Sequence, residues 1–196
     1  IEFTERYLID GGEFRALCHS AAFAVTTDES RPVLQHACFD FEPGKLTVSS
    51  TDGFRIAVKS IALESPVEKK FQALIPGNLV KAALSLLPIV TGEKIIISFK
   101  ANEEGTRQYA MIGTANYPAW IYGMLLFDGA KFPLWKSLVP SSSKYEYKLN
   151  RNQLVSALDL ALLIIGKYDS NATMILDFPK GKMSVSSEER GDFEFA

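Results

Sequence analysis

The sequence predicts an α+β protein assembled from repeated half-domain units, each a helix, a strand, a hairpin and a further strand, with antiparallel sheets. Three observations carry this. The segment FDFEPGKLTVSS, Phe39 to Ser50, returns as LDFPKGKMSVSS, Leu176 to Ser187. Stretches with apolar residues three and four apart alternate with short runs bounded by Gly, Pro and Asn. The repeat period is about 55 to 70 residues, too long for a solenoid, so two units pair into one domain and a third begins another. The expected division is a complete domain over residues 1–138 and the first half of a second over residues 139–196.

The elements follow in order. EFRALCHSAAFAVT, Glu13 to Thr26, sets Phe14, Leu17, Cys18, Ala21 and Val25 on one helical face, with Arg15 and His19 on the other. VLQHACFDFE alternates as a strand, Pro43-Gly44 turns, KLTVSS is its hairpin partner and FRIAVKSIAL a third strand. The second unit reads FQALIP as strand, GNLVKAALSLLP as a helix ending at Pro88, EKIIISFK as strand, Asn102 to Gly105 as turn and TRQYAMIG as strand. After a PSSS linker, the third reads YEYKL as strand and NRNQLVSALDLALLIIG as helix, with Asn150 and Gln153 at the N-cap and N3 positions. TMILDF, a turn at Pro179 to Gly181 and KMSVSS complete its hairpin.

Composition narrows the function classes. A hydrophobic content of 47% with 22% charged residues is that of a globular protein. The longest apolar run, LVSALDLALLII, carries Asp159 and is shorter than the ~20 residues that span a bilayer. IEFTERYLID lacks the apolar core of a signal peptide, and Cys18 and Cys38 alone make no disulfide framework, so a cytoplasmic protein is expected. The start at Ile1 suggests a trimmed chain.

The enzyme inventory is thin. His19 and His36 are the only histidines, one on a helix and one on a strand, without Ser, Cys or Asp at a triad spacing. Asp52-Gly53 reads as a turn, and Glu188-Glu189 with Asp192 as a solvated loop. No cofactor or metal is expected. A net charge of −2 excludes nucleic-acid binding by overall positive charge. Arg15, Lys81, Arg151 and Lys167 lie on the polar sides or ends of the three helices, where a repeated fold could align them into a basic track for a phosphate backbone.

Several segments together resemble a known family: SRPVLQHACFDFEPGKLTVSSTDGFRIAV, FQALIPGNLVKAAL and KFPLWKSLVP, with Thr51-Asp52-Gly53 before Arg55 and Phe132-Pro133 before Pro140 as the most specific pieces. From about Glu13 to the C-terminus, the chain resembles the bacterial DNA polymerase sliding clamp, the beta subunit of the replicase. The resemblance implies the DNA-clamp fold, with antiparallel sheets outside and helices inside. It implies a head-to-tail homodimeric ring of three-domain subunits that encircles duplex DNA, contacts its backbone without reading sequence, and catalyses nothing. It further implies a hydrophobic groove where polymerase subunits, the clamp loader and repair proteins insert short peptides ending in leucine and phenylalanine. By matching position the groove takes Leu34, Thr51, Gly53, Phe54, Arg55, Ile56, Pro133 and Leu138. Phe54 stands where the family usually has histidine, His36 where glycine is common and Ser137 where a basic residue is frequent, which implies a shifted partner preference. The family's first domain and the end of its last have no counterpart here, so a peptide-binding module that encircles nothing is the alternative expectation.

Overall fold

The computed structural model describes residue 3 and residues 5–87, 92–104, 106–116, 119–126, 130–165, 173–177, 182–187 and 191–195. The chain forms two compact units, Ile1–Leu138 and Val139–Ala196. Lys167, Pro88, Gly105, the turn at Pro179 to Gly181, and Glu188 and Glu189 lie outside the described residues.

The first unit opens on a strand the sequence reading missed, β1 (Glu5–Asp10), which runs straight into α1 (Gly11–Ala24). Tyr7 and Ile9 are buried and Leu8 is exposed, but all three are apolar, so the alternation does not show in the sequence. Asp10 fixes the helix start. Its Oδ1 accepts the N–H groups of Gly12 (2.8 Å) and Glu13 (3.3 Å), and its Oδ2 accepts that of Gly92 (3.1 Å). These bonds hold its carboxyl below the usual carboxylate range. Phe14, Leu17, Cys18 and Ala21 are buried and Arg15 and His19 exposed, as their spacing predicts.

Val33 to Gln35 are not strand, as expected, but part of a 3-10 turn over Pro32–Gln35. Pro32 fixes φ and has no N–H to donate to a ladder, so β2 (His36–Glu42) begins only after it. β3 (Lys45–Thr51) follows across a turn whose Gly44 has φ of +75°, a conformation that favours glycine. Then come β4 (Ile56–Ala62), β5 (Phe71–Pro76), α2 (Gly77–Leu86), β6 (Lys94–Ala101), β7 (Arg107–Thr114) and β8 (Trp120–Met124). β8 is a second strand that sequence reading missed.

The half-unit is therefore strand, helix and three strands, not helix, strand, hairpin and strand. The sheets also exchange strands. One has the order β4-β3-β2-β5 and the other β1-β6-β7-β8, all pairs antiparallel. Each half-unit thus lends its first strand to the sheet of the other. Tyr7, Phe39, Phe41, Ile75, Ile95, Ile97, Phe99 and Ile112 meet α1 and α2 residues in one core.

After β8 the chain turns back over the outer face of the β4-β3-β2-β5 sheet. The N–H of Leu126 donates to the Leu74 carbonyl (3.1 Å), and Phe132 packs with Cys38 and Leu74, flanked by Val33, Leu126 and Ala130.

In the second unit α3 (Arg151–Ile165) starts as predicted, with Asn150 Oδ1 accepting from the N–H groups of Asn152 (3.0 Å) and Gln153 (3.2 Å). β9 (Thr173–Asp177), β10 (Lys182–Ser187) and β11 (Gly191–Phe195) form an antiparallel sheet of order β11-β10-β9. Tyr145 to Leu149 do not form the expected strand. Alternation supplies a pattern but not a hydrogen-bonding neighbour; Tyr145, Tyr147 and Leu149 are exposed, and no described strand pairs with them.

Candidate functional site

The segment joining β3 to β4 is built around one carboxylate. Thr51 ends β3 with its side chain buried, and its Oγ1 accepts the N–H of Gly53 (3.1 Å). Asp52 Oδ1 then accepts the N–H groups of both Phe54 and Arg55 (3.0 Å each), while Oδ2 receives Arg55 Nε at 2.7 Å. A short side chain that bonds its own backbone two and three residues on is the local device that closes such a turn. Gly53 completes it at φ +95°. Arg31 clasps the turn from outside, its Nη1 donating to the Asp52 carbonyl (3.3 Å).

These bonds tether Arg55 on two sides. Besides the ion pair, its guanidinium carbon lies 4.5 Å from the ring centroid of Phe23 on α1. Phe54, by contrast, is 93% exposed, an apolar ring held out from a fixed turn. Ile56 is half-buried at the start of β4, opposite Thr51 in the register.

Backbone and side-chain donors to Asp52 lower its pKa to about 2, the N–H of Arg55 being the largest contribution. A depressed carboxyl contributes order that is present above its unfolded pKa near 3.8 and is lost as pH falls through about 2. The amide resonances of Phe54 and Arg55 are accordingly expected to titrate with a midpoint near 2. A midpoint near 3.8, measured by two-dimensional NMR between pH 5 and pH 1.5, would show that the carboxylate does not hold the turn.

Pro133 belongs to the segment crossing the outer sheet face, above Cys38 and Ser49, which are opposite each other in the β2–β3 register. Thr51 lies two residues beyond Ser49 on the same face of β3. A 3-10 turn at Trp135–Ser137 leaves Leu138 65% exposed. Leu34 is half-buried and accepts the N–H of Thr26 (3.2 Å); its neighbour Val33 is the residue that packs on the Cys38, Leu74 and Phe132 cluster. The structure thus gathers Thr51, Gly53, Phe54, Arg55 and Ile56 on one turn and Pro133 and Leu138 on the crossing segment. Leu134, Trp135 and Lys136 line the same stretch of the outer sheet face as Pro133 and were not named from the sequence, because an irregular segment carries no periodicity to place them.

Of the helix cations, Arg15 and Lys81 are exposed on α1 and α2, which pack together, and Arg151 is exposed at the start of α3. Among the described residues no three His, Cys, Asp or Glu side chains gather as for a metal ion, and no helix is long and apolar enough to cross a membrane.

Three comparisons bear on this arrangement. A family profile described as DNA polymerase III beta subunit, central domain, matches residues 8–116. The beta sliding clamp of Bacillus subtilis is 26% identical over 171 residues, covering 87% of this chain and 42% of the relative. This chain therefore spans less than half of that protein. Among solved structures, the sliding clamp of Bacillus subtilis superposes with a TM-score of 0.79 at 22% identity, covering all of this chain and 50% of the other. A sliding clamp of Pseudomonas aeruginosa bound to griselimycin superposes with a TM-score of 0.74 at 17% identity, covering all of this chain and 50% of the other.

Proposed function

We propose, for a chain that belongs to the DNA polymerase III beta subunit family, that it is part of a sliding clamp and docks replication and repair proteins through the Thr51–Ile56 turn. The observation that carries this is the turn itself. Asp52 and Gly53 preset its backbone, so little ordering entropy is lost on binding, and Phe54 stands exposed as an aromatic anchor. Leu34, Thr51, Gly53, Phe54, Arg55, Ile56, Pro133 and Leu138 would receive a short peptide ending in leucine and phenylalanine. Apolar side chains accommodate its anchors, and the guanidinium edge of Arg55 not used by Asp52 meets polar groups at the rim. The griselimycin complex of the Pseudomonas aeruginosa clamp supports a ligand-binding surface on this fold.

In this reading residues 1–138 are a complete clamp domain and residues 139–196 the first half of another. The parent protein acts as a cytoplasmic, non-catalytic processivity factor that encircles duplex DNA as a homodimeric ring. Arg15, Lys81, Arg151 and Lys167 would face the DNA backbone, through contacts loose enough to let the ring slide.

Docking is tested by fluorescence polarisation with a labelled peptide ending in Leu-Phe. Substituting Phe54→Ala together with Arg55→Ala is expected to weaken binding at least about tenfold, the loss typical of an aromatic anchor and its polar neighbour. Equal affinity of the two proteins would remove the turn from the docking site.

A further inference from the structure

Phe23 stands on the wrong face of α1 for a core residue. It follows Phe14 by about two and a half turns at 3.6 residues per turn, so the two side chains leave opposite sides of the helix. Phe14 is buried with Leu17, Cys18 and Ala21, whereas Phe23 is 61% exposed and lies outside the core cluster. A ring placed there buries little apolar surface. What it meets is the Arg55 guanidinium, whose central carbon lies 4.5 Å from the ring centroid.

Arg55 is therefore constrained by two elements that are distant in sequence. Asp52 Oδ2 receives Nε at 2.7 Å and fixes one edge of the guanidinium, while Phe23 covers one of its faces. An exposed ion pair holds weakly by itself, and a single edge contact lets the plane swing about it. A ring under the face removes that freedom. The Arg55 side chain is still 57% exposed, so the group is held in place and open to a guest at once. A long side chain ordered before binding loses less entropy when a partner arrives.

We infer that Phe23 is a positioning residue of the docking site: its ring fixes the plane of the Arg55 guanidinium, so that the edge not used by Asp52 is preset to donate to an acceptor oxygen of the bound peptide. Phe23 acts through Arg55 and does not itself touch the peptide. The inference rests on the docking reading above and adds to it a residue from α1. It requires an aromatic side chain at position 23, because an aliphatic one of similar bulk offers a cation no π face.

The test applies the labelled Leu-Phe peptide to the 196-residue chain and to Phe23→Tyr, Phe23→Leu, Arg55→Ala and the double variant Phe23→Leu, Arg55→Ala. Leucine is a good helix former and position 23 is outside the core, so Phe23→Leu retains the fold. Expected is binding weakened about two- to fivefold by Phe23→Leu, the range of an exposed cation–π contact, and affinity close to that of the unaltered chain with Phe23→Tyr. In the Arg55→Ala background Phe23→Leu should have no further effect. In the free protein, the Arg55 Nε–H resonance should carry a ring-current shift that Phe23→Leu removes and Phe23→Tyr keeps. Unchanged affinity in Phe23→Leu overturns the inference, as does an Nε–H resonance that does not move. An equal loss with and without Arg55, which direct contact between ring and peptide would give, overturns it too. Failure of the unaltered chain to bind the peptide removes the docking reading and this role with it, whereas binding that is indifferent to Phe23→Leu removes this role alone.

Discussion

Replacing Phe41 by alanine is expected to lower the stability of the first unit by about 3–5 kcal/mol. Phe41 on β2 is fully buried, and its ring is 4.7 Å from Tyr7, 4.7 Å from Phe71 and 5.5 Å from Phe99 by centroid. Tyr7 and Phe99 come from the β1-β6-β7-β8 sheet and Phe41 and Phe71 from the other, so this ring cluster fastens the two sheets together. Arg107 closes it, with its guanidinium carbon 3.6 Å from the Phe71 centroid and its Nε and Nη2 on the Glu5 carboxylate at 2.6 and 2.8 Å. Truncation would remove apolar burial and ring contacts together and leave a cavity that four fixed strands cannot collapse to fill. Urea unfolding measures it: the midpoint should fall strongly at unchanged slope. A loss under about 1 kcal/mol would mean that the sheets are held elsewhere.

Gly77→Ala is the second large expected effect, about 1–3 kcal/mol, although alanine is the better helix former. Gly77 starts α2, where the chain passes against the end of α1. A Cβ there would overlap Val25 Cγ1 and come within 3.0 Å of the Gln35 carbonyl oxygen. The side chain of Val25 can give way, but the backbone oxygen cannot without shifting the 3-10 turn before β2. The double variant Val25→Ala, Gly77→Ala should therefore recover part of the loss, giving a favourable coupling between the two sites. Strict additivity in thermal unfolding would show that the close approach is not what excludes a side chain.

Much of the local structure was legible. Phe14, Leu17, Cys18 and Ala21 announced their helix by spacing, FQALIP is β5 residue for residue, and Asn150 caps α3 from the position its side chain suits. The two missed strands share a cause. Tyr7-Leu8-Ile9 and the aromatic run before Met124 are strands whose outward residues are also apolar, which erases the alternation. Tyr145 to Leu149 alternate, yet strand formation requires a neighbour that no local pattern supplies. Even the repeated hairpin differs in detail: Phe39 stands opposite Val48, whereas Leu176 stands opposite Met183, a register two residues away from the first copy. For the site, Thr51-Asp52-Gly53 was readable as a turn. That Asp52 would occupy Arg55, with Phe23 beneath it, was not.

The sequence by itself determined the repeat, the class of secondary structure and the family, because spacing, capping and turn chemistry act over a few residues and motifs are contiguous. The tertiary structure alone decided that each half-unit gives its first strand to the other's sheet, and that Arg55 meets Phe23 of α1. Both depend on contacts between residues far apart in the chain. Such contacts are selected by the free energy of burying whole faces, and no short window of sequence contains that quantity.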